Sequence, residues 1–428
     1  MPNSQKKLLA RKQMKNMASR YGLPVLLFFS FALFFIKCFA KPRIPSMPAL
    51  NYFVGYDTGF GGRKLIGTIF GWMLPEYATA DSLLPITLTA CVLIALLFVL
   101  LVWKAVPRLD KPSVPFVALT VVFLLSPYGV VKWFKSALAP LFMETHQIVL
   151  VLAWCVLFVR CRKTLFYYPA TLIIAAAGIL IHHTFCCTLF PLMAAMFVYD
   201  ILSEERPQRG KIVAYGLISL VLLLIFVAIW RFSEMNIDFE TLCQRLSKRI
   251  DPNIILGWDE EGQGTRAVKY YYYMTNAENR AMNEELLGIL RIDLAFTVLL
   301  LSPLIAIFWY PWISAARATR DKPWVSVRYI LILLVSTLLT VPVFFMATDY
   351  SRWLFCYFLC QYLLLTLMTI TDDKPIKGAL LRLWLFAKRY WYLSAAVVTW
   401  LTFFVHNTAW DGLYEAIALR NFVLGIQM

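Results

Sequence analysis

Runs of apolar residues long enough to cross a lipid bilayer recur along the whole of this 428-residue chain, and no other feature limits its fold as strongly. They lie near 21–40, 83–103, 114–131, 145–159, 165–182, 184–202, 212–230, 293–313, 328–347, 353–371 and 390–407, most of them 16 to 22 residues long. A hydrocarbon core about 30 Å thick takes ~20 residues of helix, and in lipid a helix satisfies every backbone N–H and C=O within itself. With 60% hydrophobic and 15% charged residues and a mean hydropathy of +0.67, a soluble domain of this length is excluded. The expected fold is all-α: a polytopic transmembrane helix bundle of about eleven spans (10–12), with outer-face half-helices and one large outer loop.

The formal charge of +16 raises the question of a nucleic-acid partner, and its distribution answers it. Of the 41 Lys and Arg, 24 fall in residues 1–20 and in alternate short loops. That is the positive-inside bias of a membrane protein, so no nucleic acid is expected. It places a basic arm, 1–20, in the cytoplasm and sends the loop after the first span outside. Four units follow: the arm, a bundle over 21–230 with outer loop 41–81, a polar outer loop over 231–292, and a second bundle over 293–428. The nine cysteines are scattered, eight of them in or beside apolar segments, which gives neither a disulfide framework nor metal-ligand spacing.

The first outer loop holds the most unusual stretch. Residues 55–67 pack five glycines around Asp57, Arg63 and Lys64. Glycine at this density lets the chain turn sharply and lets a ligand approach main-chain N–H groups. The apolar 65–74 that follows is too short to span, so it reads as a re-entrant or interfacial half-helix. A plain turn in which Asp57 pairs with Arg63 remains the alternative. In the large loop, apolar residues at helical spacing over 239–250 give an amphipathic surface helix, and Asn276 caps a second helix through Leu290. The four tyrosines 270–273 read as a packed or interfacial surface, with a sugar platform as the other choice. The apolar 413–428 dips back as a further half-helix.

The spans carry almost no ionisable residue at mid-depth, unlike those of ion-coupled pumps. The polar candidates collect instead at the outer ends. Lys132, Lys135, Glu144 and His146 flank the second outer loop, and His182 and His183 fill a hairpin. Asp349, Arg352 and Trp353 open a late span, and His406 and Asp411 close the last. Arg352 beside Trp353 also fits an anchor in the headgroup layer. Acids, cations and aromatics at one depth, with no metal motif and no cofactor motif, suit sugar transfer from a lipid-linked phosphate or diphosphate. An acid takes the acceptor's proton, while Arg and Lys stabilise the departing phosphate.

Asp57-Thr58-Gly59, Arg63-Lys64-Leu65-Ile66-Gly67, His182-His183 and Asp349-Tyr350-Ser351-Arg352-Trp353 resemble motifs of the Wzy-type polymerases of bacterial surface-polysaccharide loci. Asp57 also matches, by place, the catalytic acid in the first outer loop of the GT-C glycosyltransferases. The resemblance covers these short motifs and the overall topology. It implies a multi-pass protein of the bacterial inner membrane acting on a polyprenyl-linked oligosaccharide, with membrane lipid and other polysaccharide-assembly proteins as partners. Its middle motif pairs His with Glu, whereas this chain has His182-His183. The catalytic expectation therefore rests on Asp57 or Asp349 as base, with His183. Arg63, Lys64, Lys132, Glu144, His146, His182, Arg352 and Trp353 are expected to bind substrate, Arg352 holding the donor phosphate. A lipid-linked glycan flippase and an O-antigen ligase share the plan and stay open.

Overall fold

The structure, a computed structural model, describes residues 22, 24–31, 46–106, 113–130, 143–202, 208–255, 257–258, 262–274, 276–346, 349–406 and 413–424. Within them the chain is helical, with no strand beyond one isolated bridge between Ala78 and Ile250. The principal helices of the first half are α1 (Leu65–Phe70), α2 (Ala80–Ala105), α3 (Val114–Leu125), α4 (Met143–Cys161), α5 (Tyr167–Ile181), α6 (Phe190–Ile201) and α7 (Arg209–Phe232). Then come α8 (Phe239–Arg249), α9 (Gln263–Val268), α10 (Asn276–Leu300), α11 (Ser302–Ala318), α12 (Pro323–Leu338), α13 (Tyr350–Ile370), α14 (Lys374–Arg389), α15 (Trp391–Thr399) and α16 (Tyr414–Leu424).

Among the described residues five segments are long and apolar enough to cross a membrane: Asp81–Ala105, Met143–Cys161, Arg209–Phe232, Pro323–Phe345 and Tyr350–Ile370. A sixth arises if α11 and the last ten residues of α10, bent by 67° at Leu301, make one span. The bend has a local cause, because Pro303 has no N–H to give and its ring bars the preceding turn. Four expected spans are shorter apolar helices: α3, α5, α6 and the 391–404 stretch. The first apolar run and the basic arm lie mostly outside the described residues. The helix expected to end at Leu290 instead runs on without a break to Leu300.

Helix α13 is the axis of the bundle. Its apolar window is 94% buried, against 22% for the peripheral α7. It touches α2, α3, α4, α6, α12 and α14. Helices in lipid gain little from hydrophobic exclusion, so packing and interhelical hydrogen bonds hold them together. Along α13 the Tyr362 ring stacks on Phe123 at 4.4 Å, and its hydroxyl bonds Thr120 Oγ1 at 3.0 Å. One residue earlier, Gln361 Nε2 donates to Ser336 Oγ at 2.9 Å. The end of the bundle bearing Lys104, Arg160 and Lys374 is pinned by ion pairs, one half-buried and one buried. Lys211 Nζ bonds Asp200 at 3.0 Å, and Arg328 with Tyr329 grips Asp373.

At the opposite end a second apolar core joins two distant segments. Leu50, Tyr52, Val54 and Ile66 pack against Leu242, Leu246, Ile250 and Val268. Helix α8 supplies Leu242 and Leu246 because its buried residues recur at helical spacing, and Asp238 caps it by accepting from Thr241 N–H at 2.8 Å. Main-chain bonds then stitch the segments together: Glu234 N–H to Phe60 O and Asn236 N–H to Thr58 O, both 2.9 Å. This close approach explains Gly59, whose φ is +126° and where a Cβ would meet Glu234 O at 2.3 Å. Gly67 is required for a similar reason, since a Cβ there would lie 2.1 Å from Val54 O.

Candidate functional site

The loop between Gly59 and α1 turns its two cations in different directions. Arg63 has φ +68°, a left-handed conformation that costs a residue with a Cβ about 1–2 kcal/mol. In return its guanidinium points inward. Nε donates to His182 Nε2 at 3.2 Å, and Cζ lies 4.6 Å from the centre of the Tyr271 ring. Arginine keeps its proton, so His182 Nε2 must accept and the ring proton resides on Nδ1. Nδ1 then donates to Thr184 Oγ1 at 2.8 Å, and the nearby Thr184 N–H at 3.2 Å is a close contact rather than a hydrogen bond.

His182 is therefore neutral. Burial first, then the charges of Arg63, His183 and Arg352, hold it well below the ordinary imidazole range. The His183 ring lies 4.9 Å from it, beside Gly62, and burial with the Arg63 charge pushes this ring down to about 4. The hairpin itself is fixed by Gln147 of α4. Its carboxamide donates to Gly178 O at 2.9 Å and to His182 O at 2.8 Å.

The first turn of α13 brings the second cation. Arg352 Nη1 donates to both carboxylate oxygens of Glu144 at 3.0 Å, and Nη2 donates to Asp349 Oδ2. Glu144 is fully buried and Arg352 only 8% exposed, while Asp349 is more open. Both terminal nitrogens of Arg352 are thus committed to carboxylates. Trp353 packs in the interior with Tyr350 and Val343, its ring 5.1 Å from Arg352. Tyr271 joins the two cations: burial raises its hydroxyl, and the charges of Arg63, Arg352 and Asp349 all act on it. It lies in a single π-helical turn over Lys269–Tyr273. The next two hydroxyls are spent on packing, Tyr272 donating to Asn51 Oδ1 at 3.1 Å and Tyr273 to Ile237 O at 2.6 Å.

Asp57 pairs with α8 and not with Arg63, the partner in the plain-turn alternative. Its Oδ2 accepts from Arg245 Nη2 of α8 at 2.7 Å, and both side chains are open to solvent. Lys64 is 2% exposed, and Nζ finds no hydrogen-bond partner among the described residues. Burial lowers its ammonium to about 8, against the upward pull of Asp57. His146 is buried in the second core, 2.7 Å from the Tyr52 hydroxyl and tilted against Phe70. Lys132, Lys135 and Asp411 lie outside the described residues.

Arg63, His182, His183, Glu144, Asp349 and Arg352 therefore gather in one cluster. Trp353 backs it, Asp57 and Lys64 flank it, and His146 stands apart. Tyr271 and Arg245 were not among the candidates. The tyrosine run singled out the first as a surface, whereas Arg245 on an amphipathic helix carried no signal of its own. Among the described residues no three His, Cys, Asp or Glu side chains are grouped as they would be around a metal ion. A groove of about 620 Å³ opens between the first turns of α5 and α7, lined by Leu165, Tyr168, Leu172, Lys211 and Leu217. The cluster sits at the other ends of those helices, about 20 Å away along α5, so this apolar groove has no part in it. No family model, curated protein or solved structure matches the chain.

Proposed function

We propose that the chain is a membrane glycan-assembly enzyme of the polysaccharide-polymerase or GT-C kind. It transfers a sugar from a polyprenyl-phosphate or diphosphate-linked donor at the outer face of the bacterial inner membrane. The observation that carries the reading is His182 hydrogen-bonded by Arg63 of the glycine loop and within the field of Arg352 on α13, which in turn holds the carboxylate of Asp349. Residues from segments more than a hundred positions apart meet at one end of an apolar bundle. That is where a lipid-anchored donor presents its headgroup.

In the reaction the acceptor hydroxyl oxygen attacks the anomeric carbon and its proton passes to a carboxylate. The bond from that carbon to the phosphate oxygen breaks, and its electron pair leaves with the phosphate. Asp349 is the first candidate base, being partly open beside Arg352. Asp57 is the second, and Arg245 must release it before it accepts a proton. In this reading neutral His183 passes the proton onward. A preorganised field of cations at the leaving oxygen supplies stabilisation that water cannot match.

The test uses purified protein and a purified polyprenyl-linked oligosaccharide. Extension of the lipid-linked chain by protein alone supports the reading. Movement of intact donor across sealed vesicles, with no extension, replaces it with a flippase.

A further inference from the structure

The charges around Asp57 do not balance. One acid stands among three cations: Lys64 and Arg249 lie within its electrostatic reach, and Arg245 is paired to it directly. Arg249 Nη2 is steered by Gly71 O, and Asp57 Oδ2 is occupied by Arg245. That leaves the Lys64 ammonium with no acceptor among the described residues although its side chain is almost wholly buried. Its stem runs under the glycine loop, where a Cβ on Gly61 would lie 3.7 Å from Cε. Burying a cation without a partner costs several kcal/mol, and folded chains keep such a group where a ligand completes it.

We infer that Lys64, with Arg245 and Arg249, forms a binding site for a phosphate-bearing anion beside Asp57. The ammonium donates to a phosphate oxygen, and the two guanidiniums on the adjacent face of α8 supply the second and third positive charges. Because Arg245 and Arg249 come from the 208–255 segment and Lys64 from the 46–106 segment, the anion also ties α8 to the glycine loop. The inference deepens the proposed function by giving the phosphate a holder, and it rests on that reading only for the identity of what the phosphate carries. Arg352, whose terminal nitrogens hold Glu144 and Asp349, is then a positioning residue rather than a phosphate ligand.

The experiment follows thermal stabilisation of the full chain in maltoside micelles, which contain no phosphate, on titration with farnesyl phosphate or inorganic diphosphate. Saturable stabilisation is expected. Lys64→Met and Arg245→Gln should each weaken it by about 10- to 100-fold, the loss of one charged hydrogen bond. Without ligand, Lys64→Met should melt at or above the parent temperature, because it removes an unpartnered buried charge; a structural lysine would give the opposite. Arg245 is exposed, so its variant keeps the test valid whatever Lys64→Met does to folding. Stabilisation by farnesyl phosphate alone assigns the site to a lipid headgroup, and stabilisation by diphosphate alone to a free anion; both support the site. Absence of stabilisation by either, or unchanged affinity in both variants, overturns it. Because no turnover is read, a failed transfer assay leaves this result standing, and the reverse also holds.

Discussion

Arg352 holds Glu144 across the start of two helices, with Nη1 at 3.0 Å from each carboxylate oxygen and both side chains withdrawn from solvent. The second terminal nitrogen holds Asp349, so one guanidinium fixes a buried acid and a more open one. Removing one member of such a pair strands the other. Glu144→Ala is expected to cost about 3–5 kcal/mol, while replacing both by apolar residues of similar volume should recover much of it. Thermal melts of the two single variants and the double variant in micelles check this. A loss in the double variant equal to the sum of the two single losses would show that the pair is not coupled.

The exposed pair supplies the contrast. Arg245 and Asp57 keep 43% and 55% of their side-chain surface in solvent, and exposed pairs contribute about 0–1 kcal/mol. Arg245→Gln should therefore leave the melting temperature almost unchanged while weakening phosphate binding. A large drop in stability would mean that α8 is held by this contact rather than by the apolar core of Leu242 and Leu246.

Acid should loosen the site before it affects the bundle. An imidazole in the unfolded chain titrates near 6.5, whereas His183 here titrates near about 4 and His182 is held well below its ordinary range. Between those values the unfolded chain binds protons that the folded chain refuses. Stability thus falls as pH drops from about 6.5 towards about 4, and the His183 contribution is gone below that. Melting temperature against pH, compared with His183→Gln, measures it; a variant with the same pH slope would remove His183 from the account.

Lys64 gives a pH signature of the other sign. Burial pushes its ammonium down to about 8, well below an ordinary lysine, against the upward pull of Asp57. Phosphate affinity should fall as pH rises through that value, and Lys64→Arg should keep its affinity at pH about 9, since a guanidinium stays charged there. Titrations at pH about 7 and 9 decide between them.

Much of this was legible from residue order alone, and the reason is physical. Lipid allows few backbone solutions, so apolar runs announced a helical bundle, and Arg63, His182 and Arg352 stood out as polar groups at the ends of apolar segments. Span lengths were less legible because Pro191 and Pro303 break apolar stretches that hydropathy alone joins. The pairings were not legible at all. Glu144 meets Arg352 over 208 positions and Asp57 meets Arg245 over 188, and no local pattern encodes contacts formed only when distant helices pack. Tyr271 was hidden for another reason: four consecutive tyrosines look alike in sequence, and only the π-helical turn aims one of them at Arg63.

The central claim is that the cluster joining Arg63, His182, Asp349 and Arg352 is the centre of a glycosyl transfer reaction. Its most direct test is the rate at which purified protein extends a polyprenyl-linked oligosaccharide, measured for the parent chain, Asp349→Asn and Asp57→Asn, with farnesyl phosphate binding followed on each. The account predicts extension by the parent and a fall of about 10²–10⁴-fold in turnover for Asp349→Asn with phosphate binding retained. Extension by both Asn variants at the parent rate, or none by a folded, phosphate-binding parent, would contradict it.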